Sequence, residues 1–363
     1  MKATEQLHNL GQSLWLDNIT RGLLTSGTLE RYIRELSVTG LTSNPSIFDH
    51  AIRETGFYDE AIRAKTEAGQ NGEKLFFALA LEDLTRAADL FRPVHDATKG
   101  VDGWVSLEVS PLLADEPGKT LEAAKQLFAL ANRPNLFIKI PGTPKGLSAI
   151  ENAIFAGIPV NVTLLFSRDQ YLKAANAYMR GIARRIEAGL SPVVHSVASI
   201  FISRWDKAVS GKEPGGLKNC LGTAIAMQAY KAYRELLTSR EWLQLEAAGA
   251  SAQRLLWAST GTKDPKASDV FYIAALAAPD TVNTMPEATL LAFADHGKVA
   301  DALPADGGNC EDALQRFAAG GINAVSLAAQ LQTEGAEAFV KSWNDLMQCI
   351  ESKAHAVQAG AGR

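Results

Sequence analysis

Three cysteines in 363 residues, Cys220, Cys310 and Cys349, are too few and too scattered for a disulfide framework. Six histidines, His8, His50, His95, His195, His296 and His355, share no ligand spacing with each other or with the cysteines, so no metal site is expected. Basic tracts are missing too: 36 basic residues stand against 40 acidic ones, a formal net charge of −4, which excludes the electrostatic footprint of a nucleic-acid binder. No apolar run approaches the length needed to cross a bilayer, so no membrane partner is expected. The opening "MKATEQLHNL" lacks the apolar core of a signal peptide, and the expected setting is a reducing cytoplasm. Two formal glycosylation sequons, at Asn18 and Asn161, fall against apolar strand patterns and read as chance matches.

What the chain does have is alternation. Short apolar runs at 13–19, 40–44, 104–109, 136–141, 158–166, 193–201 and 254–260, with a weaker one at 279–285, are separated by amphipathic helical stretches such as "TLERYIRELS" and "TLEAAKQLFALANR". In "SRDQYLKAANAYMRGIARRIEAG", Ser167 and Gln170 stand at capping-box spacing and mark a helix start. Eight strands with helices between them define a parallel α/β fold, either an open doubly wound sheet or a closed barrel. The open sheet usually carries a glycine-rich turn after its first strand, and none of the glycine clusters here has that spacing. A barrel predicts polar residues at the ends of many strands, and Asp17, Asn44, Glu108, Lys139, Asn161 with Thr163, Ser199 and Ser259 come from seven different ones. The expected fold is therefore a single (β/α)8 TIM barrel over 1–363. Its additional helices lie at about 56–97, at 221–248, and in a C-terminal helix and tail over 334–363. The pair of glycines in "AAGGIN" (318–323) reads as a helix end.

Lys139 is the anomaly that points to chemistry, because "NLFIKIPGT" otherwise reads as a buried strand. An unpaired ammonium loses its hydration there, so the residue needs a reason. One reading is a strand-end lysine that reaches water or pairs with a carboxylate. The other is a Schiff-base lysine, whose apolar surround disfavours the ammonium and leaves an amine able to attack a ketone. That chemistry needs acid/base partners, and Asp17 and Glu108 are the obvious pair, although each alone also suits an ordinary ion pair. The "DEPGKT" segment ends like a phosphate-binding loop, but Leu113 occupies the place of its first glycine, so no nucleotide is expected.

Taken in order, "LWLDNI", "GLTSNPSIF", "VSLEVSPLLA", "LFIKIPGTPKG", "NVTLLFS", "SIFISRWD" and "WASTGTKDP" resemble the transaldolases of the longer bacterial type, in the class I Schiff-base aldolase superfamily, over residues 14 to about 265. The resemblance implies a barrel with its imine-forming lysine on the fourth strand, and "LFIKIP" is fourth here. It implies Lys139 as the imine former, Asp17 as the acid/base at the cleaved carbinol, and Glu108 with Thr163 on a catalytic water. Asn44, Asn161 and Ser199 would meet the donor's hydroxyls, with Asn44 also suited to capping the helix that Pro45 opens. Phe201 would line the pocket, and Arg204, Ser259 and Lys263 would hold phosphate. Lys263 departs from the better-known members, which carry arginine nearer that serine.

The implied activity is transfer of a dihydroxyacetone unit between phosphorylated ketoses and aldoses in the pentose phosphate pathway. It needs no cofactor and would be carried by a monomer or homodimer. The alternatives are an aldolase that releases free dihydroxyacetone and a non-catalytic sugar-phosphate binder. Glu108 and Phe201 favour transfer, since the aldolase relatives tend to carry an amide and a tyrosine there.

Overall fold

Strands of a parallel sheet are covered on both faces, and the strands of this chain are buried almost throughout. The computed structural model describes residues 1–299 and 301–360, with side chains described to Gln358. All eight expected strands form: β1 (Gln12–Asp17), β2 (Val38–Thr42), β3 (Trp104–Glu108), β4 (Leu136–Pro141), β5 (Val160–Leu165), β6 (Ser196–Phe201), β7 (Arg254–Ala258) and β8 (Thr281–Met285). They pair in parallel in sequence order and β8 returns to β1, closing an eight-stranded barrel inside its helices. The open-sheet alternative is thereby excluded.

Register decides which side chains become neighbours. Glu108 aligns with Lys139, Lys139 with Asn161, Pro141 with Thr163, and Asp17 with Thr42. Aligned residues of parallel neighbours face the same side, so the polar strand ends converge at the C-terminal mouth.

The opposite end is plugged by aromatic rings. Trp104 stacks on Phe137 at 4.0 Å between centroids, and Trp15 donates to the buried Asp102 at 2.8 Å. Gly40 permits this: a Cβ there would lie 2.7 Å from both the Trp104 carbonyl and the Trp15 ring. Arg254 completes the floor by donating to Ser13 Oγ at 2.7 Å and to the Thr281 carbonyl at 2.8 Å.

β5 is irregular where it reaches the mouth. Leu164 has φ +60°, and the pairing with β6 slips between Val162 and Leu165. Such a bulge leaves backbone groups unpaired and re-aims the strand end. The freed Leu164 carbonyl accepts from Gln332 Nε2 at 2.9 Å, and the same amide reaches the Gly142 carbonyl at 3.2 Å. Gln332 belongs to the C-terminal helix (Ala324–Gly360), which therefore clasps the ends of β4 and β5. Further along, Trp343 meets Phe76 edge to face at 5.2 Å and Lys353 pairs with Asp59 at 2.9 Å, tying the helix to the insertion at 56–97.

Two helix boundaries differ from expectation. The stretch 221–248 forms two helices, Leu221–Leu236 and Arg240–Ala247, because Ser239 Oγ accepts from Trp242 N at 3.2 Å and caps a new start. The C-terminal helix begins ten residues before 334, where Asn323 Oδ1 accepts from Val325 N and Ser326 N, each at 3.0 Å. Residues 361–363 of the expected tail lie outside the described residues. Ser167 does cap its helix (Arg168–Glu187), but the Gln170 side chain reaches Phe166 N at 2.7 Å, one residue before the capping-box position. Gly321, at φ +85°, is the left-handed residue expected after the helix that ends at Ala319.

Candidate active site

A cavity of about 190 Å³ opens at the C-terminal mouth and is lined by Asp17, Asn44, Lys139, Thr163, Ser199, Phe201, Arg204, Ser259 and Lys263. Nine of the eleven expected site residues therefore share one hollow. Glu108 and Asn161 stand apart from it and are described below.

Lys139 is only 6% exposed. Its Nζ donates to the Ser43 carbonyl at 3.2 Å and lies 3.5 Å from Glu108 Oε2. The surround is thus less apolar than the strand pattern implies, because a carboxylate faces the amine from the neighbouring strand. Glu108 is 4% exposed, and neither of its oxygens has a well-formed hydrogen bond within the protein. Burial raises its pKa; the Lys139 cation opposes the rise and Asp17 adds to it. A carboxylate with raised proton affinity beside an ammonium is placed to take the proton that keeps the amine from reacting.

Burial likewise raises the pKa of Asp17 against the charge of Lys139, a hydrogen bond from Thr42 and the charge of Lys263. Thr42 Oγ1 donates to Asp17 Oδ1 at 2.7 Å and also lies 2.7 Å from Thr284 Oγ1. A hydroxyl has one proton, so Thr284 must donate to Thr42, and the chain Thr284 to Thr42 to Asp17 fixes the carboxylate's orientation.

Asn44 is the helix cap expected of it. Its Oδ1 caps the helix Pro45–Glu54 by accepting from Ile47 N at 3.1 Å, and the residue also lines the cavity. Its amide nitrogen has no hydrogen-bond partner among the described residues, and it is free to donate. Asn161 is differently placed: fully buried, it donates to Ser106 Oγ at 3.2 Å and accepts from Ser199 Oγ at 2.7 Å, behind the cavity wall. It positions Ser199, which does line the cavity. Thr163 Oγ1 is buried without a hydrogen-bond partner among the described residues.

Arg204 and Lys263 also line the cavity and form no ion pair or side-chain hydrogen bond with any described residue. The Arg204 guanidinium lies 5.0 Å from the Phe201 ring centroid, and burial lowers its pKa against the charge of Glu334. Ser259, at φ +56°, shares a 2.9 Å contact with Ser203, and Gly261 follows on the same wall. Two cations without an ion pair among the described residues, beside a small-residue turn, are the chemistry that suits an anion.

Four contributors lay beyond the sequence reading. Thr42 and Thr284 are polar strand-end residues of the same kind as Asn44. Ser43 acts through its carbonyl, which no side-chain pattern reveals. Phe339 comes from the C-terminal helix, and its ring centroid lies 5.5 Å from Lys139 Nζ. Among the described residues, no group of three or more His, Cys, Asp or Glu side chains gathers to hold a metal, and no helix is long and apolar enough to cross a membrane.

A closed parallel barrel whose mouth holds a buried lysine with two carboxylates defines one class, the eightfold barrels built around a lysine at their C-terminal face. The profile of the transaldolase/fructose-6-phosphate aldolase family matches residues 14–350. The chain is 43% identical to the transaldolase of Arthrobacter sp. strain FB24, over 96% of each chain. It is 42% identical to the transaldolase of Thermobifida fusca, over 95% of this chain and 96% of that one. It is 39% identical to transaldolase 2 of Nostoc punctiforme, over 96% of each. The protein belongs to the transaldolase/fructose-6-phosphate aldolase family.

Proposed function

We propose that this protein is a transaldolase, carrying a dihydroxyacetone unit from fructose 6-phosphate or sedoheptulose 7-phosphate to erythrose 4-phosphate or glyceraldehyde 3-phosphate. The observation that carries the reading is the buried Lys139 amine, 3.5 Å from Glu108, at a cavity whose other walls supply Asp17 and two cations, Arg204 and Lys263, without an ion pair among the described residues. The names of the relatives agree with it.

In this mechanism Glu108 accepts the lysine's proton, and the free amine attacks the ketose carbonyl. Water leaves with the proton returned by Glu108, and a protonated imine forms on Nζ. Asp17 then takes the proton of the hydroxyl one carbon beyond the breaking bond. The carbon–carbon bond cleaves, its electron pair passes to the imine to give an enamine, and an aldose phosphate departs. The enamine attacks the aldehyde carbon of the acceptor, Asp17 returns its proton to the new alkoxide, and water held between Glu108 and Thr163 hydrolyses the imine. Buried polar atoms without protein partners, as on these two residues, are where such a water is expected.

Borohydride reduction with fructose 6-phosphate, followed by digestion and mass spectrometry, tests the reading. The expected result is a reduced dihydroxyacetone adduct on Lys139. Absence of an adduct on every lysine, with sugar binding demonstrated, would leave a sugar-phosphate binder.

Two further outcomes follow from the site's electrostatics. Burial raises both carboxylates above their ordinary values of 3.8 and 4.5, and protonated Asp17 cannot act as base. The acid limb of kcat/KM should therefore fall at a pH above the ordinary carboxylate range, with rate lost as pH drops. A profile flat down to pH about 4.5 would remove these carboxylates from the chemistry.

At the anion site, Lys263→Ala should raise KM for fructose 6-phosphate by about tenfold while leaving the rate with unphosphorylated fructose unchanged. Equal losses on the two donors would mean that Lys263 does not hold the phosphate.

A further inference from the structure

The two carboxylates beside Lys139 belong to residues that line different hollows, and one ring borders both. Asp17 and Thr163 line the cavity at the barrel mouth. Glu108 lines a separate groove of about 700 Å³, between the segment 111–115 after β3 and residues 336–345 of the C-terminal helix. Phe339 lines both hollows, and its ring lies over Lys139 Nζ. The rim of the second groove is charged and wet: the Asp115 and Lys341 side chains are each nearly four-fifths exposed.

We propose that Phe339 is a partition between a sugar mouth and a water mouth, and that it sets how often the enamine is passed to an aldose rather than lost as free dihydroxyacetone. This rests on the transaldolase reading. After the first aldose phosphate leaves, the enamine has two fates. Attack on an acceptor aldehyde forms the new carbon–carbon bond. Protonation at carbon regenerates the imine, and one water then adds, freeing the Lys139 amine and one dihydroxyacetone. Both fates balance, and only the second requires proton and water to reach the dihydroxyacetone carbons before the acceptor does.

The groove ends against Glu108, whose carboxylate is itself buried, so the proton and water that imine formation and hydrolysis need approach it from this side. A phenyl ring between that route and the sugar cavity excludes water from the enamine carbon while leaving the nitrogen within reach of Glu108. Its face also attracts the positive charge that Nζ carries in the imine. Half-buried on a helix that is otherwise clasped to β4 and β5 by Gln332, the ring is held by the scaffold rather than by the core alone.

The test is the partition ratio: free dihydroxyacetone released per fructose 6-phosphate consumed, with and without saturating erythrose 4-phosphate. Phe339→Ala joins the two hollows and is expected to raise release relative to transfer by about fivefold or more. Phe339→Leu, which keeps most of the apolar bulk, should stay close to wild type. If alanine loosens the helix, Phe339→Val carries the same expectation as alanine. Variants that slow release and transfer together, leaving the ratio unchanged, would make Phe339 a packing residue and overturn the proposal. Borohydride trapping on wild type and each variant separates the two levels: no Lys139 adduct in wild type refutes the transaldolase reading itself, whereas normal adducts with an unchanged ratio refute only the partition.

Discussion

Lys139→Arg is expected to lower turnover below about one ten-thousandth of wild type, with no adduct trapped by borohydride on any residue. A guanidinium stays charged at every working pH and cannot supply the lone pair that an imine requires. The charge next to Glu108 is kept, so the substitution separates nucleophilicity from electrostatics better than alanine does. Fructose 6-phosphate should still shift the melting temperature of the variant, because Arg204 and Lys263 also line the cavity and are untouched. Steady-state turnover near wild type would remove Lys139 from the mechanism. Lys139→Met, neutral and of similar length, checks that lost turnover is not lost folding in a site only 6% exposed.

Asp17→Asn should behave differently, and the difference identifies the base. The asparagine Oδ1 still accepts from Thr42, whose orientation Thr284 fixes, so the side chain keeps its place and loses only its ability to take a proton. Imine formation depends on Lys139 and Glu108 and should persist. Carbon–carbon cleavage should slow by about 10² to 10⁴, so the trapped adduct should carry the intact six-carbon sugar phosphate instead of the dihydroxyacetone fragment. Single-turnover mass spectrometry distinguishes the two by their size. Cleavage at the wild-type rate would assign the base elsewhere.

The sequence carried the barrel because strand periodicity and strand-end polarity are local signals. Lys139 stood out in "LFIKIP" through its conflict with an apolar run, and Glu108 through its neighbours in "VSLEV". What a one-dimensional pattern cannot show is which polar groups are already engaged. Asn161 matches its motif, yet its amide is committed to Ser106 and Ser199 across two other strands, which makes it a positioning residue. Thr42 and Thr284 lie at strand ends, but their effect on Asp17 exists only once β8 closes the barrel against β1, which carries Asp17 between them. Phe339 left no local trace. It is one aromatic among many on an amphipathic helix, and its place over Lys139 follows from where Gln332 anchors that helix.

That anchor also orders events in time. Gln332 reaches carbonyls 190 and 168 positions earlier in the chain, those of Gly142 and Leu164, and Phe339 follows it by seven residues. On a ribosome that releases the chain from its N-terminus, every barrel strand is made before either residue emerges. The nascent protein thus passes through a stage in which lysine, carboxylates and cations are all synthesised while the mouth has no roof. Any chemistry begun then would run in open water, so the last tenth of the chain decides when a folded barrel becomes a selective catalyst.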